Sequence, residues 1–367
     1  APAEFMRFLF RWQHVQPGTQ LHGRDGVVEI IGQLQGLELP APSWEESVLP
    51  ARIRLYDPAD LEYLTLSGLV AWGRLTSHGT EEEGGRSEGR GRRQKPGRGS
   101  PLAFAIREDL PAFLQVTADL DDALRGLSPA AVEVARFLQQ RGASFLGDLA
   151  QALRRMPAEV EEALWELVSR GVVSGDGVAG LRQLLHGGAR QRRRQRRMRR
   201  LTGVRAHGRS LPVGRWSLWR PVGALSSDER DEAIARQLLR RYGVVFRDLL
   251  ARERIAPPWR VLAQLYRRWE AQGRLRGGRF VAGFTGEQFA LPEALEALRA
   301  VRRAAGDPLV VIASADPLNL VGVILPGARV PVASGQAIAF QDGVPVAVAP
   351  LGVLLSRLRN DRIAGRS

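Results

Sequence analysis

The stretch "PPWRVLAQLYRRWEAQGRLRGGRFVAGF" (Pro257–Phe284) reads as a helix followed by a β-hairpin. Tyr266 and Trp269 fall on one apolar helical face, and the Gly277-Gly278 pair predicts a tight turn in the hairpin. The same pattern occurs 101 residues earlier. Phe137, Leu138, Gly142, Phe145, Leu149, Pro157, Leu164, Trp165 and Val168 reappear as Leu238, Leu239, Gly243, Phe246, Leu250, Pro258, Leu265, Tyr266 and Trp269. Each copy predicts three short helices and then a hairpin, the order of a winged helix, in which the third helix enters a DNA groove and the wing touches phosphates.

In the earlier copy, "SPAAVEVARFLQQRG" has Ser128 as cap, Pro129 at the first helical position and Gly142 as the stop. "FLGDLAQALRR" and "PAEVEEALWELVSRG" supply its second and third helices, and "GVVSGDG" and "GRWSLWRP" its wing strands. A less regular unit precedes both, with helices in "EFMRFLFRWQHV", "DGVVEIIGQ" and "DPADLEYLTLSG" and wing strands "LVAWGRL" and "PLAFAIR". Past Pro308 the chain turns β-like, and Asp342-Gly343 between alternating apolar runs is a hairpin signal. The expected class is α+β, tandem winged-helix domains followed by a small β-barrel module. The boundaries are 1–117 with a disordered wing loop at 77–100, 118–222 with an arginine-rich wing loop, 223–305, and 306–367 for the barrel.

The formal charge of +14 and a pI near 11.3 favour a polyanionic partner. From Gly177 to Ser227 there are thirteen arginines and no acidic residue. Arg190, Arg192, Arg193, Arg194, Arg196, Arg197, Arg199, Arg200 and Arg215 are the candidate nucleic-acid contacts, since a mobile arginine loop still neutralises phosphates and releases counterions. No apolar run reaches the length of a membrane span, so the expected partner is DNA, with RNA as the other candidate, in the cytoplasm and on the nucleoid. Cysteine is absent and the five histidines show no ligand spacing, so no metal and no cofactor are expected. Lys95 is the one lysine and Pro96 follows it, which rules out the phosphate loop GxxxxGK[ST] and with it ATPase activity of that type.

Four motifs remain. "GDGVAG" (Gly175–Gly180) matches GxGxxG but lacks the following ribose-binding acid, and reads as a wing turn. "ADPLNLVG" (Ala315–Gly322) reads as turn or cap chemistry around Asp316. "GEQFALPEA" places Glu287 and Gln288 at a strand end. In "IIGQLQGLELP" (Ile30–Pro40), Gln33 and Gln35 would point to one side if the backbone is extended, and Glu29 lies one helical turn before Gln33. On spacing alone, a polar helix end is the commoner reading.

Taken together, "AEFMRFLFRWQHVQPG", "QLQGLELPAPSWEESVLPARI", "GRWSLW", residues 257–299 and "SADPLNLVGVILPG" resemble the C-terminal region of the bacterial large helicase-related (Lhr) proteins, most strongly over 214–327. That region is similar to the AlkZ-like tandem winged-helix DNA glycosylases. The resemblance implies a DNA-binding module without the helicase core, which would be its partner in cis or in trans. It also implies monofunctional glycosylase activity on a damaged base. Members of that group carry a Gln-apolar-Gln motif that positions the hydrolytic water, and Gln33-Leu34-Gln35 fits it. An amide cannot take the proton from water at neutral pH, so Glu29 and Glu287 are the candidate carboxylates. A Schiff-base lyase needs an amine, and Lys95 lies in a Gly-rich charged tract that does not suit it. The rival reading is a non-catalytic module that holds nucleic acid or assembles protomers, with self-association a further candidate. A transcription repressor fits the winged helices but not the β-rich end.

Overall fold

In the computed structural model, which describes residues 1–76, 100–115, 119–186, 214–220, 225–304 and 306–354, one sheet plan is built three times. In the first unit, the two-residue strand β1 (Leu39–Pro40) pairs antiparallel with β3 (Pro101–Ile106), whose other edge pairs with β2 (Val70–Gly73). The middle unit repeats the plan with β4 (Ser144–Phe145), β6 (Arg215–Leu218) and β5 (Val173–Gly175). The third repeats it with β7 (Val244–Val245), β9 (Gln288–Ala290) and β8 (Arg276–Gly278). The returning wing strand is central each time. Each short strand fixes where the second helical segment begins, and so sets the angle between the helices and the wing.

The helices follow their caps. In the first unit α1 (Pro2–Trp12), α2 (Gly23–Leu34), α3 (Leu49–Arg52) and α4 (Pro58–Leu66) precede the wing, and Asp57 Oδ1 accepts from the Ala59 N–H at 2.9 Å to start α4. The middle unit has α5 (Pro129–Arg141), α6 (Leu146–Ala152) and α7 (Pro157–Arg170). Ser128 Oγ caps α5, and Gly171 ends α7 at φ 75°, where a side chain would be strained. The third has α9 (Ser227–Tyr242), a 3₁₀ turn (Arg247–Arg252) and α10 (Trp259–Ala271) before its wing, then α11 (Pro292–Arg303). A capping box starts α9: Ser226 Oγ accepts from the Glu229 N–H, and the Glu229 carboxylate accepts from the Ser226 N–H. Between β5 and β6 the "GDGVAG" turn runs into α8 (Ala179–His186), a helix the composition did not announce.

The Gly277-Gly278 turn is corrected. Both glycines lie in β8, opposite Phe289 and Gln288, and the chain reverses through residues 279–287. The Glu270 carboxylate accepts from the Gly277 N–H at 3.0 Å, so this glycine is a strand residue facing the end of α10 and not a turn residue. Gln288 holds the excursion: its Oε1 accepts from the N–H groups of Phe280 and Val281 at 2.7 Å, and its Nε2 donates to the Val281 carbonyl.

The C-terminal unit is a three-stranded antiparallel sheet in the order β10 (Val310–Ala313), β11 (Gln336–Gln341), β12 (Val344–Pro350). Asp342 (φ 50°) and Gly343 (φ 78°) make the tight turn between β11 and β12. Among the described residues the sheet stays open where a barrel was expected: β12 is an edge strand, and Val344, Val346 and Val348 along one face of it are exposed. Of the predicted wing loop at 77–100, residues 77–99 lie outside the described residues, as does the run Arg190–Arg200.

Two apolar cores run through the molecule. One joins α2, α4 and the first sheet to the middle unit. The other joins the third unit to the C-terminal sheet and takes in α1, whose Phe5 packs on Phe246 and Phe10 on Phe340. Trp165 and Tyr266, equivalent by the 101-residue repeat, are both core residues, as are Val168 and Trp269. Arg7 and Arg11 bind Asp307 at 2.5 and 2.6 Å. Burial pushes the Asp307 carboxyl up, but hydrogen bonds from Arg7 and Arg11 more than offset this and leave it below its ordinary value. The wings of the first two units also meet. Trp72 and Trp216 contact edge to face, Trp72 Nε1 donates to the Gly177 carbonyl, and a Cβ on Gly73 would collide with Trp219 at 2.6 Å.

Candidate functional site

The third helices of the middle and third units are equivalent by repeat but opposite in charge. On α7 the apolar stripe of Val160, Ala163, Leu164, Leu167 and Val168 is buried, and the outward positions include Glu159, Glu161 and Glu162. A phosphate backbone would be repelled there. On α10 the buried stripe of Leu262, Ala263, Tyr266 and Trp269 leaves Arg260, Gln264, Arg267 and Arg268 exposed, and the wing beside it adds Arg274, Arg276 and Arg279. Arg267 pairs with Glu287 and Arg268 with Glu232, whereas Arg260 has no carboxylate partner among the described residues. The basic helix and wing of the third unit therefore form the candidate nucleic-acid face. Arg260→Ala is expected to weaken duplex binding by ~1–3 kcal/mol, and Glu162→Ala to leave it unchanged or slightly tighter. Titration of a labelled duplex with each variant checks this.

The candidate catalytic glutamines do not share a direction. Gln33 lies in the last turn of α2 and Gln35 is its C-cap at ψ 146°, so the backbone is not extended across the pair. Gln33 Nε2 donates to the carbonyls of Trp12 (2.9 Å) and Arg240 (3.5 Å), and its Oε1 is buried without a partner. Gln35 has spent both its donors: Nε2 donates to Asp109 Oδ2 at 2.7 Å and Gln237 Oε1 at 3.2 Å, and Oε1 accepts from the Ile106 N–H at 3.0 Å. Gln237 in turn donates to the carbonyls of Gly32 and Gln33, and Arg241 to that of Gln35. The motif is thus the buried seam between α2 and α9.

The carboxylates divide the same way. Glu29 is half-exposed and pairs with Arg240 at 3.0 Å, so Glu29 and Gln33 converge on one residue of α9. Glu287 pairs with Arg267 at the exposed edge of α10 instead. Arg215 is held at the middle wing by Asp176 at 2.9 Å, and its guanidinium remains more than half exposed. Sequence reading missed Asp109, an exposed carboxylate with one oxygen tied to the Gln35 amide. Its separation of 74 residues from Gln35 carries no sequence signal. Arg241, Tyr242 and Glu253 form a further buried cluster, in which burial, with Glu253 close by, pushes the Tyr242 hydroxyl well up. Among the described residues, no helix is long and apolar enough to cross a membrane.

Two family models, for the third and the fourth winged-helix domain of the large helicase-related protein, match residues 1–88 and 224–310. The chain is 32% identical over 361 residues to "Lhr helicase/uracil glycosylase" of Escherichia coli K12, covering 89% of the chain and 22% of that protein. It is 31% identical over 367 residues to "Lhr helicase/ probable uracil glycosylase" of Mycolicibacterium smegmatis, covering 92% of the chain and 22% of that protein. The chain therefore spans about a fifth of the length of these relatives.

Proposed function

From the premise that the chain belongs with the Lhr proteins and matches their C-terminal region, we propose that it binds DNA through α10 and the third wing and releases uracil or a related damaged base as a monofunctional glycosylase. The observation that carries the DNA reading is the basic, outward face of α10 on an otherwise buried helix. The names of the two relatives support the glycosylase reading.

In such hydrolysis a water oxygen bonds to C1′ as the C1′–N bond breaks. The electron pair leaves with the base, and the water proton passes to an acceptor. Both N–H groups of Gln35 are engaged, by Asp109 and Gln237, and its buried Oε1 already accepts from Ile106, so its role here is to hold Asp109. Gln33 Oε1 is a buried acceptor without a partner among the described residues, and Glu29 and Asp109 are carboxylates close to the motif.

End-labelled oligonucleotides carrying uracil, alkylated or oxidised bases test the proposal. Alkali-dependent cleavage at uracil is the expected result. Breaks that appear without alkali, or a complex trapped by borohydride, would contradict the monofunctional assignment. Tight DNA binding with no base released from any lesion favours the second reading, a nucleic-acid-binding or assembly module for a helicase core. The engagement of both Gln35 N–H groups by Asp109 and Gln237 is the observation on that side.

A further inference from the structure

Beside the glutamine seam, between the end of α1, α9 and α10, opens a cleft of about 330 Å³. Its lining includes Trp12, Arg236, Arg240, Trp269, Arg274 and Glu293. We propose that this cleft takes one unstacked nucleotide of a DNA strand, its base against Trp12 and its phosphate on Arg274. The inference rests on the DNA-binding reading and is independent of whether a base is released.

Three observations carry it. First, the Trp12 ring is partly exposed and fixed in place: it packs on Phe8 at 5.4 Å, and its Nε1 donates to the Arg240 carbonyl at 2.9 Å. A rigid aromatic face of this kind suits base stacking, which tolerates any base because every base has a π-face. Second, the cations are distributed for a phosphate. Arg240 is engaged by Glu29 and Arg236 by Glu232, while Arg274 lies over the Trp269 ring, 4.8 Å from its centroid, with no carboxylate partner. The stack on Trp269 steadies the guanidinium and leaves its N–H edge for an anion. Third, Glu293 lines the same cleft and has no hydrogen bond or ion pair among the described residues, so the cleft also holds an acceptor for a base N–H. The volume suits a base with its sugar, and the exposed wing Arg276 and Arg279 follow Arg274 in sequence, giving the strand a charged path onward.

The test compares a short single-stranded oligonucleotide with an abasic strand of the same length, each titrated against the full chain. The wild type is expected to bind the base-bearing strand about 5- to 100-fold more tightly. Trp12→Leu should bring that ratio close to one while abasic-strand affinity holds. Glu293→Trp fills the cleft from an exposed position without removing any packing, and should collapse the ratio in the same way. Arg274→Ala should weaken both strands together. A wild-type ratio near one, or a ratio unchanged by Glu293→Trp, overturns the proposal and leaves the DNA-binding reading standing. Failure of the wild type to bind any strand or duplex overturns the DNA-binding reading itself.

Discussion

Asp316→Ala is expected to destabilise the protein by ~3–5 kcal/mol, because it strands a buried guanidinium. Arg52 is 0% exposed and Asp316 1%, and the two make a two-pronged pair at 2.6 and 2.9 Å. Arg52 also donates to the Gln13 side chain and the Val48 carbonyl, and its Nε is already without a partner. Little remains to absorb the loss. Both charges have left water, so the attraction offsets desolvation only while the pair is intact. Replacing both members with apolar residues of similar volume, Arg52→Met with Asp316→Leu, should recover most of the loss. Asp60→Ala removes the exposed partner of Arg24 and should cost less than ~1 kcal/mol. Urea titrations of the four proteins decide this. An Asp316→Ala midpoint equal to wild type would mean that the C-terminal unit does not depend on this pair.

Affinity for duplex DNA is expected to fall by about 10³ or more between 50 and 200 mM salt, the change that follows from neutralising ~6–10 phosphates. The acid-free stretch from Gly177 to Ser227 brings thirteen arginines, and α10 with its wing adds a second basic group. The two contributions separate by deletion. Removing Gln191–Leu201 should lower the slope of log affinity against log salt, and Arg260→Ala should lower it further by ~1. An affinity that hardly moves across that range would remove the electrostatic account of binding.

The winged-helix units were legible where the signal was local. Ser128 caps a helix, Gly142 ends it, and Asp342-Gly343 turns the last hairpin, because each depends on a few neighbouring residues. The two-residue strands β1, β4 and β7 left no mark, since a pair of residues has no periodicity to read and its partner strand lies far along the chain. The glycine pair at 277–278 misled for a related reason: a glycine pair fits a turn or a strand, and the pairing with Phe289 and Gln288 that decides between them is visible only in space. The surroundings of the candidate residues were less legible. Glu29, Gln33 and Gln35 do lie together on α2, but the groups that fix their roles are Arg240, Gln237 and Asp109, all far away in sequence.

The placement of α1 bears on how the chain folds as it is made. Its aromatic face closes onto α11 and the last sheet, and Arg7 meets an aspartate 300 residues further on. At ~5–20 residues per second of synthesis, the first helix waits about 15–60 s for that partner to leave the ribosome. The α2 to middle-unit core can assemble in the meantime, while Phe5, Phe8 and Phe10 stay open to solvent or to a holding chaperone. The contact of α1 with the last sheet therefore closes late, and a chain stalled before Asp307 exposes this aromatic helix as the mark that it is unfinished.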